Sequence, residues 1–107
     1  MTLPIDPTAI NPDDIGAEQT VLALDHEEAI AFVREACEAA GFGVPVEFSP
    51  SEMLNEKVDA GRDPYYVLGA CNPEVADRAL DASDNKIGAL MACNVVIWEE
   101  EPGRQRV

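Results

Sequence analysis

The sequence predicts an α+β domain built as a small sheet with helices on one face. Two apolar runs, Tyr65–Cys71 and Cys93–Trp98, are rich in β-branched and aromatic residues and read as buried strands. The segments at 26–40 and 73–81 instead carry apolar residues at helical spacing. Their order along the chain, β-α-β-(α)-β-α-β-β, is that of a mixed sheet-and-helix domain. At 107 residues the chain suits one such domain.

Residues 1–19 hold Pro4, Pro7 and Pro12 without apolar periodicity and read as an irregular arm, so the domain is expected over 20–107. Thr20–Leu24 is a short strand. Asp25 is placed to cap a helix, with Glu28 at its third position and acids in the first turn, where the dipole favours them. Ile30, Val33, Cys37 and Ala40 form its apolar stripe, and Gly41 and Gly43 stop it. Val44–Phe48 alternates but contains Pro45, which predicts a strand at the sheet edge or a strand entrance. Ser49-Pro50 launches a short helix through Val58, and 59–64 is a turn. After the central strand 65–71, Asn72-Pro73-Glu74 is a cap, a first-turn proline and a favourable acid in sequence. Val75, Ala76, Ala79 and Leu80 are the stripe of the helix it opens. The chain breaks at 83–85, enters its last long strand at Cys93, turns at 99–103 and starts a return strand at Arg104.

Composition excludes several classes of function. Twenty-one acidic residues against seven basic ones give a net charge of −14, the opposite of what phosphate contacts need, so no nucleic-acid partner is expected. No apolar run approaches a membrane span, and residues 1–6 lack the basic start and apolar core of a secretory signal; a cytoplasmic location is the expectation. The acids are spread evenly along the chain and Lys is scarce. This composition fits work in concentrated salt, where a Debye length of about 3 Å screens the mutual repulsion. The three cysteines are an odd number, include no Cys-x-x-Cys pair and stand beside a single histidine, so neither a disulfide framework nor zinc-finger spacing is present.

Residues 20–107 resemble the family catalogued as domain of unknown function 302, in its short single-domain form. The likeness lies in Gly41-Phe42-Gly43-Val44, Asn55-Glu56-Lys57-Val58, the block Tyr66 to Pro73 with Ala76, Ala79 and Leu80, and the block Ile87 to Ile97. Two features depart from it: Ala92 stands where the family usually has Pro, and the family tends to run on beyond the last strand, which implies a shortened final element. The resemblance implies a TATA-binding-protein-like architecture (the fold, not DNA binding) and a homodimer. It implies no established activity.

Candidate chemistry centres on Cys71 and Cys93. Cys71 ends an apolar strand just before a helix N-terminus, where free N–H groups favour a thiolate; Cys93 opens the next strand. If those strands are neighbours, both sulfurs lie at one end of the sheet, with Asn72 and Asn94 as polar companions. Such a pair could cycle as a disulfide or hold Cu(I) or Zn. The competing reading makes both thiols small apolar packing groups, with Asn72 a cap and Asn94 a turn residue. Cys37, on the helical stripe, is expected in the core and His26 at the surface. Tyr65 and Tyr66 must face opposite ways, one toward the core and the other toward a cleft or partner. Trp98 is either a packed anchor or part of an interface. No phosphate loop, nucleophile elbow or carboxylate pair is present, and no cofactor is expected. The leading expectation is a non-enzymatic binding module acting as a homodimer, and thiol-based redox or soft-metal handling is the alternative.

Overall fold

The computed structural model describes residues 11–16 and 18–107. Most of the expected arm therefore lies outside the described residues. What is described of it includes one 3-10 turn, Pro12–Asp14, capped by the Asn11 side chain. Pairing begins at Thr20, which exchanges two backbone hydrogen bonds of 2.9 Å with Val107.

Beyond that point the elements follow the predicted order: β1 (Val21–Leu22), α1 (His26–Ala39), β2 (Gly43–Phe48), α2 (Pro50–Val58), β3 (Tyr65–Cys71), α3 (Pro73–Ala82), a 3-10 segment (Lys86–Leu90), β4 (Cys93–Glu101) and β5 (Arg104–Arg106). The strands form one five-stranded sheet in the order β1-β5-β4-β3-β2, every pair antiparallel. The protein is thus an α+β fold, as its sequence predicts. β2, which carries Pro45, is an edge strand, as the missing N–H requires.

Two local expectations are corrected. Asp25 holds the N-cap position of α1 but its side chain makes no capping hydrogen bond; its backbone carbonyl takes the first helical N–H, from Ala29 at 2.9 Å. Glu99–Glu101 belongs to β4 and not to the turn, which tightens to Pro102-Gly103 with Gly103 at φ +80°. Two arginines on β5 neutralise Glu100 and allow the strand to continue through the acids.

The sheet has two unlike faces. Across one lies α1, whose Ala29, Ile30 and Val33 pack with Leu68 of β3 and Ile97 of β4, both fully buried. Cys37 packs against the margin of this core. α2 is tied to the start of β3 by Ser51, whose hydroxyl accepts from the Tyr65 N–H at 2.9 Å and donates to the Tyr65 carbonyl at 3.2 Å. α3 stands apart: it packs on the 3-10 segment that follows it and has no buried residue.

Candidate functional site

On the face away from α1, strand alternation sets Val46 and Phe48 of β2, Tyr65 and Val67 of β3, and Val96 and Trp98 of β4 side by side. Their register is Phe48 opposite Val67, Val67 opposite Val96, and Tyr65 opposite Trp98. None of these six side chains is charged, and Arg106, opposite Trp98, and Glu18, beside the two rings, stand at the margin. Val46 is 53%, Phe48 47% and Tyr65 37% exposed, whereas Val67 is buried and Val96 and Trp98 are half-buried, so the apolar surface that meets solvent lies along β2 and the start of β3.

The Tyr65 and Trp98 rings stack with centroids 6.1 Å apart and planes 14° from parallel. They wall an open cavity of about 1010 Å³, completed by Ile15 and Thr20 from the chain before β1 and by Asn94 and Val96 from β4. A second hollow of about 420 Å³, formed with the 60–64 turn, shares the same two rings. Tyr65 therefore faces a cleft and Tyr66 the α1 side, as alternation requires. Trp98 is half-buried in the cleft wall.

The polar chemistry is concentrated on the α1 side. Arg34 of α1 grips Glu47 of β2 through two nitrogens at 2.6 and 3.0 Å, and the Tyr66 hydroxyl donates to the same carboxylate at 3.0 Å. Hydrogen bonding to Arg34 holds Glu47 below the usual carboxylate range, and the Tyr66 hydrogen bond adds to it. Burial, then the Glu47 hydrogen bond, pushes the Tyr66 phenol up. Beyond Tyr66 lies His26, edge-on to its ring at 6.5 Å. The expectation that His26 is exposed is corrected: it is half-buried, with Nδ1 2.8 Å from Oε1 of Gln105. Gln105 is wholly buried and donates through Nε2 to Glu99 at 3.1 Å. Because Glu99 as a carboxylate can only accept, the amide must present its oxygen to His26, whose Nδ1 then carries the hydrogen. No sequence motif marks this link, since its members lie 79 and 6 residues apart.

The two cysteines do lie at one end of the sheet, on neighbouring strands. The register, however, sets Cys93 opposite Ala70, one residue short of Cys71. Alternation then directs the sulfurs to opposite faces, Cys71 half-buried and Cys93 exposed. The structure thus does not bring together the pair on which shared chemistry depends. Asn72 caps α3, its side chain accepting from the Glu74 and Val75 N–H groups at 3.1 and 3.3 Å. Asn94 lies opposite Gly69 and lines the larger cavity. Among the described residues, no group of three or more His, Cys, Asp or Glu side chains is arranged to hold a metal ion. No helix is long and apolar enough to cross a membrane.

The model of the domain of unknown function DUF302 matches residues 18–107. No curated protein matches the chain. A similar solved structure is the crystal structure of an uncharacterized conserved protein DUF302 from Bacillus stearothermophilus. It is 29% identical with a TM-score of 0.74, and the match covers 83% of this chain and 68% of that one.

Proposed function

The chain belongs to the DUF302 family, and from that premise we propose that it is a non-enzymatic binding module that works as a homodimer through the face of the sheet opposite α1. The observation that carries this reading is the exposed apolar surface of Val46, Phe48 and Tyr65, continuous through strand register with the Tyr65–Trp98 stack. Exposed contiguous apolar patches of this kind mark interaction sites, and Tyr and Trp are the side chains that most often dominate such contacts. On a chain of net charge −14, like-charge repulsion is least across strand residues that carry no charge, and Val46, Phe48, Tyr65, Val67, Val96 and Trp98 meet that condition. Thiol chemistry at Cys71 and Cys93 is the weaker reading, because it needs two sulfurs that alternation sends apart. A cytoplasmic, salt-rich setting agrees with the acidity.

Light scattering in molar KCl should give twice the 11.5 kDa chain mass. Trp98→Ala should shift the equilibrium toward monomer by at least tenfold in Kd. A parent protein that stays monomeric at high micromolar concentration would overturn the homodimer.

A further inference from the structure

We propose that the Pro45 bulge is a block on strand addition, keeping the β2 edge of this chain from pairing with the same edge of a second copy. The proposal is independent of the homodimer reading above, since it concerns the edge of the sheet and not its face.

A sheet edge presents unpaired N–H and C=O groups to which a strand of another chain can add. Among the described residues β2 pairs on one side only, with β3. Its sequence, Gly-Val-Pro-Val-Glu-Phe, is apart from the proline that of a ready template. Val44, Val46 and Phe48 have high strand propensity, and the last two are exposed. The opposite edge differs: β1 is only two residues long and offers an incoming strand little to bind.

Pro45 interrupts the template where it matters. The Ser51 hydroxyl takes the Tyr65 N–H and donates to the Tyr65 carbonyl, so the odd-numbered residues of β3 turn their main-chain groups toward β2. Their partners Val46 and Phe48 spend their own groups on β3, and Glu47 between them points its N–H outward. Two residues back along the strand, where the next outward donor would stand, is Pro45, which has no N–H. The backbone is also deformed there. Gly43 pairs with Cys71 and Val46 with Gly69, so Val44 and Pro45 together oppose the single Ala70. Such a bulge bends the strand and increases its twist. An incoming strand meets a missing donor and a bent backbone near the middle of a six-residue edge.

Charge does not supply this protection. The only charged residue of β2 is Glu47, and Arg34 and the Tyr66 hydroxyl hold its carboxylate on the α1 side. Lys, a common guard of exposed edges, is absent from the strand. Repulsion between two chains of net charge −14 is long-ranged, and molar salt screens it within about 3 Å. A missing donor and a bulge act at any salt concentration.

The test uses the full chain with Pro45→Val and, in parallel, Pro45→Ala. Both restore the N–H at an exposed position, and alanine does so without adding a β-branched side chain. In 3 M KCl each variant, folded by circular dichroism, should form assemblies of at least twice the parent's mass by light scattering, whether the parent is a monomer or a dimer. In 0.1 M KCl, where the screening length is about 10 Å, assembly should be weaker. The Glu47 amide should exchange its hydrogen at least tenfold more slowly in the assemblies than in the parent, because a partner strand takes it up. Folded variants that keep the parent's mass in 3 M KCl overturn the proposal. Assemblies in which the Glu47 amide exchanges as fast as in the parent overturn it too, since they form elsewhere.

Discussion

Gln105 is a fully buried amide that satisfies His26 on one side and Glu99 on the other. Removing it strands both partners, and a buried polar group left without a partner costs about 1–3 kcal/mol. Gln105→Ala should therefore lower unfolding free energy by about 2–3 kcal/mol in urea titration; a loss below 0.5 kcal/mol would mean that water replaces the amide. Glu47 and Glu100 show how residue charge becomes pH dependence. Arg34 lowers the folded pKa of the first, and Arg106 followed by Arg104 that of the second. Between the folded and unfolded values the unfolded chain binds more protons, so the stabilisation is complete above about pH 5 and fades as pH falls through the folded values. Glu47→Gln should flatten the acid limb of midpoint against pH, and an unchanged limb would remove Glu47 from the account. At Ala92 the left-handed backbone excludes the proline usual in the family, because the pyrrolidine ring fixes φ near −65°. Strand polarity made the opposed roles of Tyr65 and Tyr66 legible in the sequence. The burial of His26 was not, because its partner lies on the last strand.

At the scale of elements, local chemistry set most boundaries. Ser49 and Asn72 cap α2 and α3 through their side chains, and each is followed by a proline at the first helical position. Asn72→Ala should destabilise α3 by about 1 kcal/mol. Because α3 has little packing to compensate, the loss should appear in the far-ultraviolet circular dichroism of the protein. Retained helicity there would show that α3 does not depend on its cap. By contrast, α1 is held by tertiary burial. Leu68→Ala beneath it should cost about 2–5 kcal/mol, and a smaller loss would mean that the core closes around the cavity. Pro45 narrowed β2 to a sheet edge or a strand entrance, since a missing N–H is tolerated only where no neighbour needs it, and the strand order decided for the edge. The register between β3 and β4 was not readable. A one-residue shift reverses every side chain, and that shift separates Cys71 from Cys93.

For the molecule as a whole, charge is the dominant variable. A net charge of −14 on 107 residues produces repulsion that molar salt screens within about 3 Å. The unfolding midpoint should rise markedly between 0.1 M and 3 M KCl. Equal midpoints would make the acidity a matter of solubility alone. Salt should also tighten the proposed dimer, since the contact is apolar and its repulsion is long-ranged. Weaker association in 3 M KCl would point to ion pairs as its main source of energy.

The sequence by itself determined the α+β class, the order of the elements, the limits of the helices and of β3, and the acidic composition. All of these follow from periodicity, caps, proline chemistry and composition, which act over a few residues or over the whole chain without regard to geometry. Only the tertiary structure decided which face of the sheet α1 covers, that Tyr65 stacks on Trp98, that Gln105 links His26 to Glu99, and that the two cysteines leave opposite faces. Each depends on strand register and on contacts between residues far apart in the chain, and local propensity does not encode those.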